Sequence, residues 1–148
     1  MSALPAADLS SRNAAPAPPR VVGIGVLRVL LLGEALAGLG LAIVLSMLAG
    51  AANDGGEAGR NAEQTLRFAA GFSFLFAILA AASSRGARRR RGWSWTLAAL
   101  LQLFLAVGTG IAILVAPWYP AYLIGFGLPA VVMLVLSAPS VRRALGQE

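Results

Sequence analysis

From residue 21 onward the chain alternates long apolar runs with short polar interruptions, and the lengths of those runs define the elements. Crossing about 30 Å of hydrocarbon takes about 20 helical residues at about 1.5 Å each. Four runs meet that length, at about 24–49, 66–84, 93–116 and 118–137. Backbone amides and carbonyls find no water inside a bilayer, so each run is predicted to be a transmembrane helix. The first offers small residues of cleavage-site type at Ala49 and Ala51. It is nevertheless much longer than the roughly 7–15-residue apolar core of a signal peptide, and reads as a retained helix. The expected fold class is thus an all-α membrane protein, a four-transmembrane-helix bundle over 21–138. Residues 1–20, rich in Ala and Pro and without apolar periodicity, read as a disordered tail, and 139–148 as a short basic tail.

At 100° per residue the first run has two unlike faces. Glu34 shares one with Ala37, Gly38 and Ala42, together with Leu30, Leu41 and Leu45, while Val29, Leu32, Leu36, Leu39 and Ile43 form the other. Small residues let helices approach closely in lipid, so the Glu34 face is expected inside the bundle. The third run repeats the design, with Gln102 beside Ala98, Ala99, Ala106, Thr109 and Gly110 and with Leu97, Leu100, Phe104, Val107 and Ile111 opposite. The second is a weaker copy, with Ser73 among alanines. Glu34 lies six residues past Arg28 and Gln102 nine past Trp93, which puts both at similar depth and predicts a hydrogen bond between them. Ser73 and Thr109 fall in the other half and form a candidate second polar layer. Pro129 interrupts the fourth run and leaves the Gly125 carbonyl without its helical donor.

Composition narrows the chemistry. The chain of 148 residues is 58% hydrophobic and 12% charged, with no cysteine and no histidine. Disulfides, thiolate catalysis, Cys/His metal sites and histidine acid–base chemistry are therefore excluded, and no nucleophile–base pair or carboxylate cluster remains to build an active site. The expectation is a non-enzymatic protein with no cofactor and no metal. The net charge of +6 is carried by arginine alone, which makes the positions of the arginines informative. Arg12, Arg20, Arg28, Arg85, Arg88, Arg89, Arg90, Arg91, Arg142 and Arg143 fall on one side of a four-pass topology, and only Arg60 and Arg67 on the other. The positive-inside rule then puts both termini in the cytoplasm. Trp93 and Trp95 at one end, and Trp118, Tyr119 and Tyr122 at the other, match interfacial aromatic belts.

Glu34 is the sole acidic residue at membrane depth, the kind of group that by default suggests a proton relay or a substrate carboxylate. The plainer reading is a glutamic acid that keeps its proton in hydrocarbon and ties helices together through Gln102. Transport sites usually gather several ionisable groups or broken helices near the midplane, and this chain supplies one such group, toward one leaflet. An accessory or scaffold subunit, associating with itself or another membrane protein through small-residue faces, is therefore the first expectation. A small proton-coupled transporter or exporter using Glu34 as an oligomer is the alternative. The cluster Arg85, Arg88, Arg89, Arg90 and Arg91 suits anionic headgroups at the inner face of the bilayer, although orientation alone accounts for it. Nucleic acid is excluded, since the chain offers no folded soluble module and no stacking platform.

Four features together resemble a group of small four-helix integral membrane proteins of high-GC Gram-positive (actinobacterial) bacteria. They are "LRVLLLGEALAGLGLAIVL" with its glutamate, the arginine-rich connection before Trp93, Gln102, and the "SAPSVRRAL" exit. That resemblance implies a bacterial plasma-membrane location and a four-helix fold, and it points to no particular function. A single carboxylate on helix one of four is also similar to small multidrug-resistance exporters, though this chain has a long first loop and no aromatic cage beside its glutamate. The orientation has a direct check. A phosphatase or fluorescent reporter fused after Glu148 is expected to report the cytoplasm, and a periplasmic signal would refute the four-pass assignment.

Overall fold

The computed structural model describes residues 22–52, 55–115 and 120–147. The expected tail at 1–20, the belt residues Trp118 and Tyr119, and the start of the fourth run lie outside them. Among the described residues the chain is helical, with α1 Val22–Ala52, α2 Glu57–Arg88, α3 Trp93–Val115, α4 Ala121–Ser137 and the short α5 Pro139–Ala144. Three of these, over Val22–Ala52, Glu57–Arg88 and Trp93–Leu114, are long and apolar enough to cross a membrane, and Tyr122–Ser137 is a shorter apolar helix. The protein is an all-α membrane protein, with three long apolar helices and one shorter one among its described residues.

α1 and α2 pack along most of their length, α2 meets α3, α3 meets α4, and α4 returns to α1. This cyclic order places α1 and α3 across the diagonal of the bundle. The α1–α2 seam is made of small side chains: Ala35, Ala42 and Ala49 on α1 are buried, as are Ala70, Ala77 and Ala80 on α2. Val29, Leu32, Leu36, Leu39 and Ile43 point outward, as do Leu100, Val107 and Ile111 of α3. An apolar exterior around a small-residue interior is what lipid solvation selects. Leu41, grouped by periodicity with the inward face, is 52% exposed. The reason is a hollow inside the bundle, described below.

α2 departs most from the expected span of 66–84. Hydropathy locates the apolar stretch of a helix rather than its ends, and α2 continues at both. On one side Glu57–Arg67 stays helical outside the apolar region, helped by the Glu63–Arg67 ion pair one turn apart. On the other, Ser83, Ser84, Gly86 and Ala87 are buried against neighbouring helices, and the Ser84 hydroxyl donates to the Arg28 carbonyl at 3.4 Å. Gly86 allows the sharp turn into α3, because a Cβ there would lie 2.7 Å from Ser94 Cβ and 2.9 Å from the Trp93 ring.

The arginine-rich end is closed. Leu27, Leu31, Ala87, Ala98, Val132, Leu136, Val141 and Leu145 form one buried cluster. Two of them belong to the segment expected as a basic tail; 139–148 instead begins with α5, started by Pro139 and anchored by Val141 and Leu145. Spacing of four residues puts those two side chains on one face and leaves Arg142 and Arg143 in solvent. Trp95 also differs from its expected belt role: it is half-buried, and its indole N–H donates to the Leu136 carbonyl at 3.1 Å, satisfying one of the open carbonyls at the end of α4.

α2 ends in a Schellman motif, with Arg91 N–H bonded to the Gly86 carbonyl and Arg90 N–H to that of Ala87, both at 3.1 Å. The motif forces Arg90 to φ 51, a left-handed conformation that costs a side-chain-bearing residue about 1 kcal/mol. Arg90→Gly is expected to raise stability by up to about that amount in a detergent unfolding titration. A fall would show that the Arg90 side chain outweighs the relieved strain.

Candidate functional site

The site grows from three helical stripes. On α1 the fourfold spacing of Leu27, Leu31 and Ala35 carries Glu34 inward beside Ala35, and on α3 Ser94, Ala98 and Gln102 form one inward row that continues to Leu105 and Thr109. On α2 Ser73 follows Ala70 and precedes Ala77 and Ala80 along the seam. Glu34 lies about 18 Å along α1 from Val22, and Gln102 about 14 Å along α3 from Trp93, at about 1.5 Å per residue. The two side chains therefore meet across the diagonal. Gln102 Nε2 donates to Glu34 Oε1 at 3.0 Å and to Oε2 at 2.9 Å, and both residues are buried, at 1% and 3% exposure.

The pair separates two unlike halves. Toward the arginine-rich end the interior is filled by the cluster described above. Toward the other end lies a cavity of about 490 Å³. In helix register Glu34 and Leu128 stand at its end nearer the arginines and Leu41, Ala112 and Tyr122 at the other, with Phe72, Phe76 and Phe104 between them. Phe72 and Phe104 lie against each other with centroids 5.2 Å apart and planes at 31°. The walls are otherwise aliphatic or glycine, with hydroxyl groups on Ser73, Thr109 and Tyr122. Volume, apolar lining and few polar groups fall within the ordinary range of a small-molecule site.

Ser73 and Thr109, expected to form a second polar layer, both line this cavity, but each bonds within its own helix. Ser73 donates to the Ala69 carbonyl at 2.9 Å and Thr109 to that of Leu105 at 2.8 Å. Thr109 also leans toward the Gly125 carbonyl at 3.4 Å. Pro129 explains that contact, because it has no N–H to give the carbonyl four residues back, and the helix nonetheless runs unbroken from Ala121 to Ser137. Gly125 makes the approach possible: a Cβ there would sit 2.7 Å from the Thr109 hydroxyl oxygen.

The chemistry open to the pair follows from its atoms. With Nε2 between the two carboxyl oxygens, Gln102 Oε1 is buried without a hydrogen-bond partner. Turning the amide by 180° brings Oε1 against the carboxyl, where a protonated Glu34 donates to it and the amide N–H returns the bond. The pair thus has one bonded arrangement for each protonation state. Arg85, Arg88, Arg89, Arg90 and Arg91 take no part in the cavity; they are exposed on the end of α2 and the turn beyond it, at the same end as Arg142 and Arg143. Among the described residues no group of three His, Cys, Asp or Glu side chains could hold a metal ion.

Hydropathy reading missed the aromatic wall of Phe72, Phe76 and Tyr122, and assigned Phe104 to the lipid face alone. The Thr109–Gly125 contact also went unread, although its signal is present: a proline frees the carbonyl four residues earlier, and a glycine at that position invites a donor. No family model, curated protein or solved structure matches the chain.

Thr109→Val should destabilise the bundle by about 1 kcal/mol in an unfolding titration, because the Gly125 carbonyl loses its substitute donor. In a Pro129→Ala background, where the restored backbone N–H at position 129 bonds that carbonyl, the same substitution should cost much less. Equal cost in both backgrounds would sever Thr109 from Pro129.

Proposed function

We propose that the protein is a non-enzymatic, four-pass accessory protein of a bacterial plasma membrane, with both termini cytoplasmic, that holds a small apolar molecule within its own bundle. The observation that carries this reading is the cavity ending on Glu34 and Gln102. The closed arginine-rich end supports a holding cup rather than a passage, and the distribution of arginines supports the orientation. The absence of histidine and cysteine from the sequence supports a role without catalysis. The resemblance to small actinobacterial four-helix membrane proteins agrees with the location. Scaffolding through small-residue faces has less surface available, since the alanines of α1 and α2 are buried against each other. Another copy or another membrane protein would meet the bulky apolar exterior instead. The arginine cluster would rest on anionic headgroups at the inner face.

A second reading, a proton-coupled carrier, is favoured by one observation: the ionisable group lies at the end of the cavity. Glu34→Gln separates the two. A Gln–Gln pair keeps an interhelical hydrogen bond, so a holding protein should retain near-wild-type stability and near-wild-type binding of an uncharged apolar probe such as fluorobenzene. Loss of proton-dependent uptake in cells with the fold intact would favour the carrier.

The cup itself is tested with fluorobenzene and ¹⁹F NMR on protein in lipid nanodiscs. A saturable bound signal is expected, and Gly108→Phe should abolish it, because position 108 lines the cavity and a Cβ there meets open space. Absence of any saturable signal above empty nanodiscs would refute the reading.

A further inference from the structure

Tyr122, at the end of the cavity away from Glu34, brings a phenol that can donate; the rest of the cavity's hydrogen-bonding capacity is one-sided. The Ser73 hydroxyl hydrogen is committed to the Ala69 carbonyl and that of Thr109 to the Leu105 and Gly125 carbonyls. The Gln102 amide hydrogens face the Glu34 carboxyl beneath the cavity. What Glu34, Ser73 and Thr109 present to an occupant is therefore oxygen lone pairs, at successive levels. Gly38, whose Cβ position lies 3.2 Å from the Ser73 carbonyl, sets Ser73 one helical turn beyond Glu34, and Thr109 stands two turns beyond Gln102. An occupant that satisfies this interior brings donors of its own, and the aromatic and aliphatic walls require the rest of it to be apolar.

We infer that the cavity is a binding site for amphiphilic amines that carry at least one N–H on the head, seated toward Glu34, with an aryl or alkyl body against Phe72, Phe76 and Phe104. This rests on the reading of the bundle as a cup and specifies what the cup holds. A primary ammonium meets every requirement: its hydrogens match the acceptors, its charge complements a carboxylate, and its apolar stem fits the walls. A fully alkylated ammonium keeps the charge and its attraction to aromatic faces but has no hydrogen to give. An alcohol keeps a donor and lacks the charge. Head chemistry, not lipophilicity, therefore ranks the occupants.

Three probes with one body test this: 4-phenylbutylamine, its N,N,N-trimethylated counterpart, and 4-phenylbutan-1-ol. Each is titrated calorimetrically into the full-length protein in nanodiscs, with empty nanodiscs subtracted. The primary amine is expected to bind roughly tenfold or more tightly than either comparison compound, the worth of a charge-assisted hydrogen bond. Glu34→Gln should remove the preference for the amine over the alcohol. Ser73→Ala deletes a hydroxyl that bonds only its own helix, and gives a second reading if the Glu34 variant does not fold: amine affinity should fall several-fold. Equal affinity for the primary and trimethylated amines would overturn the inference, as would equal affinity for amine and alcohol, or amine binding unchanged by Ser73→Ala. If none of the three binds saturably while fluorobenzene does, the cup stands and its assignment to amines falls. If fluorobenzene also fails, the cup reading falls with it.

Discussion

A hydrogen bond between Glu34 and Gln102 crosses the diagonal of the bundle, and the arrangement of the other helices follows from it. In hydrocarbon a carboxyl and an amide have no water to turn to, and leaving either unpaired is costly. Their mutual bond fixes the rotation of α1 and α3 about their own axes, so that each turns its small residues inward and its leucines and valines to lipid. It also fixes the relative depth of the two helices. α1 and α3 have little direct packing of their own, since α2 and α4 stand between them. A single polar bond therefore does for that pair what close-packed alanines do for α1 and α2.

Above and below this bond the same four helices solve different problems. At the arginine-rich end bulky aliphatic side chains form one buried cluster, α5 packs against α4 and α1, and Trp95 and Ser84 donate to the Leu136 and Arg28 carbonyls. At the other end glycines and small residues on α1, α3 and α4 leave a hollow that aromatic rings surround without filling. The hollow is compatible with a stable fold because the Ser73 and Thr109 hydroxyls that face it are already bonded to helix carbonyls. Thr109 serves twice, closing the defect that Pro129 opens in α4 while turning its lone pairs inward. Packing, proline chemistry and the character of the cavity are thus one arrangement.

Much of this could be read from the sequence because lipid imposes simple rules. Run length located the apolar helices, and the division of small from bulky residues set the inward faces of α1 and α3, including the side on which Glu34 and Gln102 stand. What could not be read depended on tertiary contacts that leave no periodic trace. The helical extension of α2 through Glu57–Thr65 is polar, and hydropathy is blind to it. The folding of α5 rests on two residues, Val141 and Leu145, finding a surface built from α1 and α4. The cavity is an absence of packing where four helices fail to meet, and Phe72, Phe76, Phe104 and Tyr122 become a wall only once their relative register is known.

The diagonal bond is tested most directly by a double-mutant cycle with near-isosteric apolar replacements, Glu34→Met and Gln102→Met, alone and together, read as unfolding free energy in lipid nanodiscs. Each single variant leaves one buried polar group without its partner, whereas the double variant removes both. A coupling energy of about 1 kcal/mol is predicted, with the double variant less destabilised than the sum of the singles. Additive effects would show that the two residues act independently and that the bundle is not held across its diagonal.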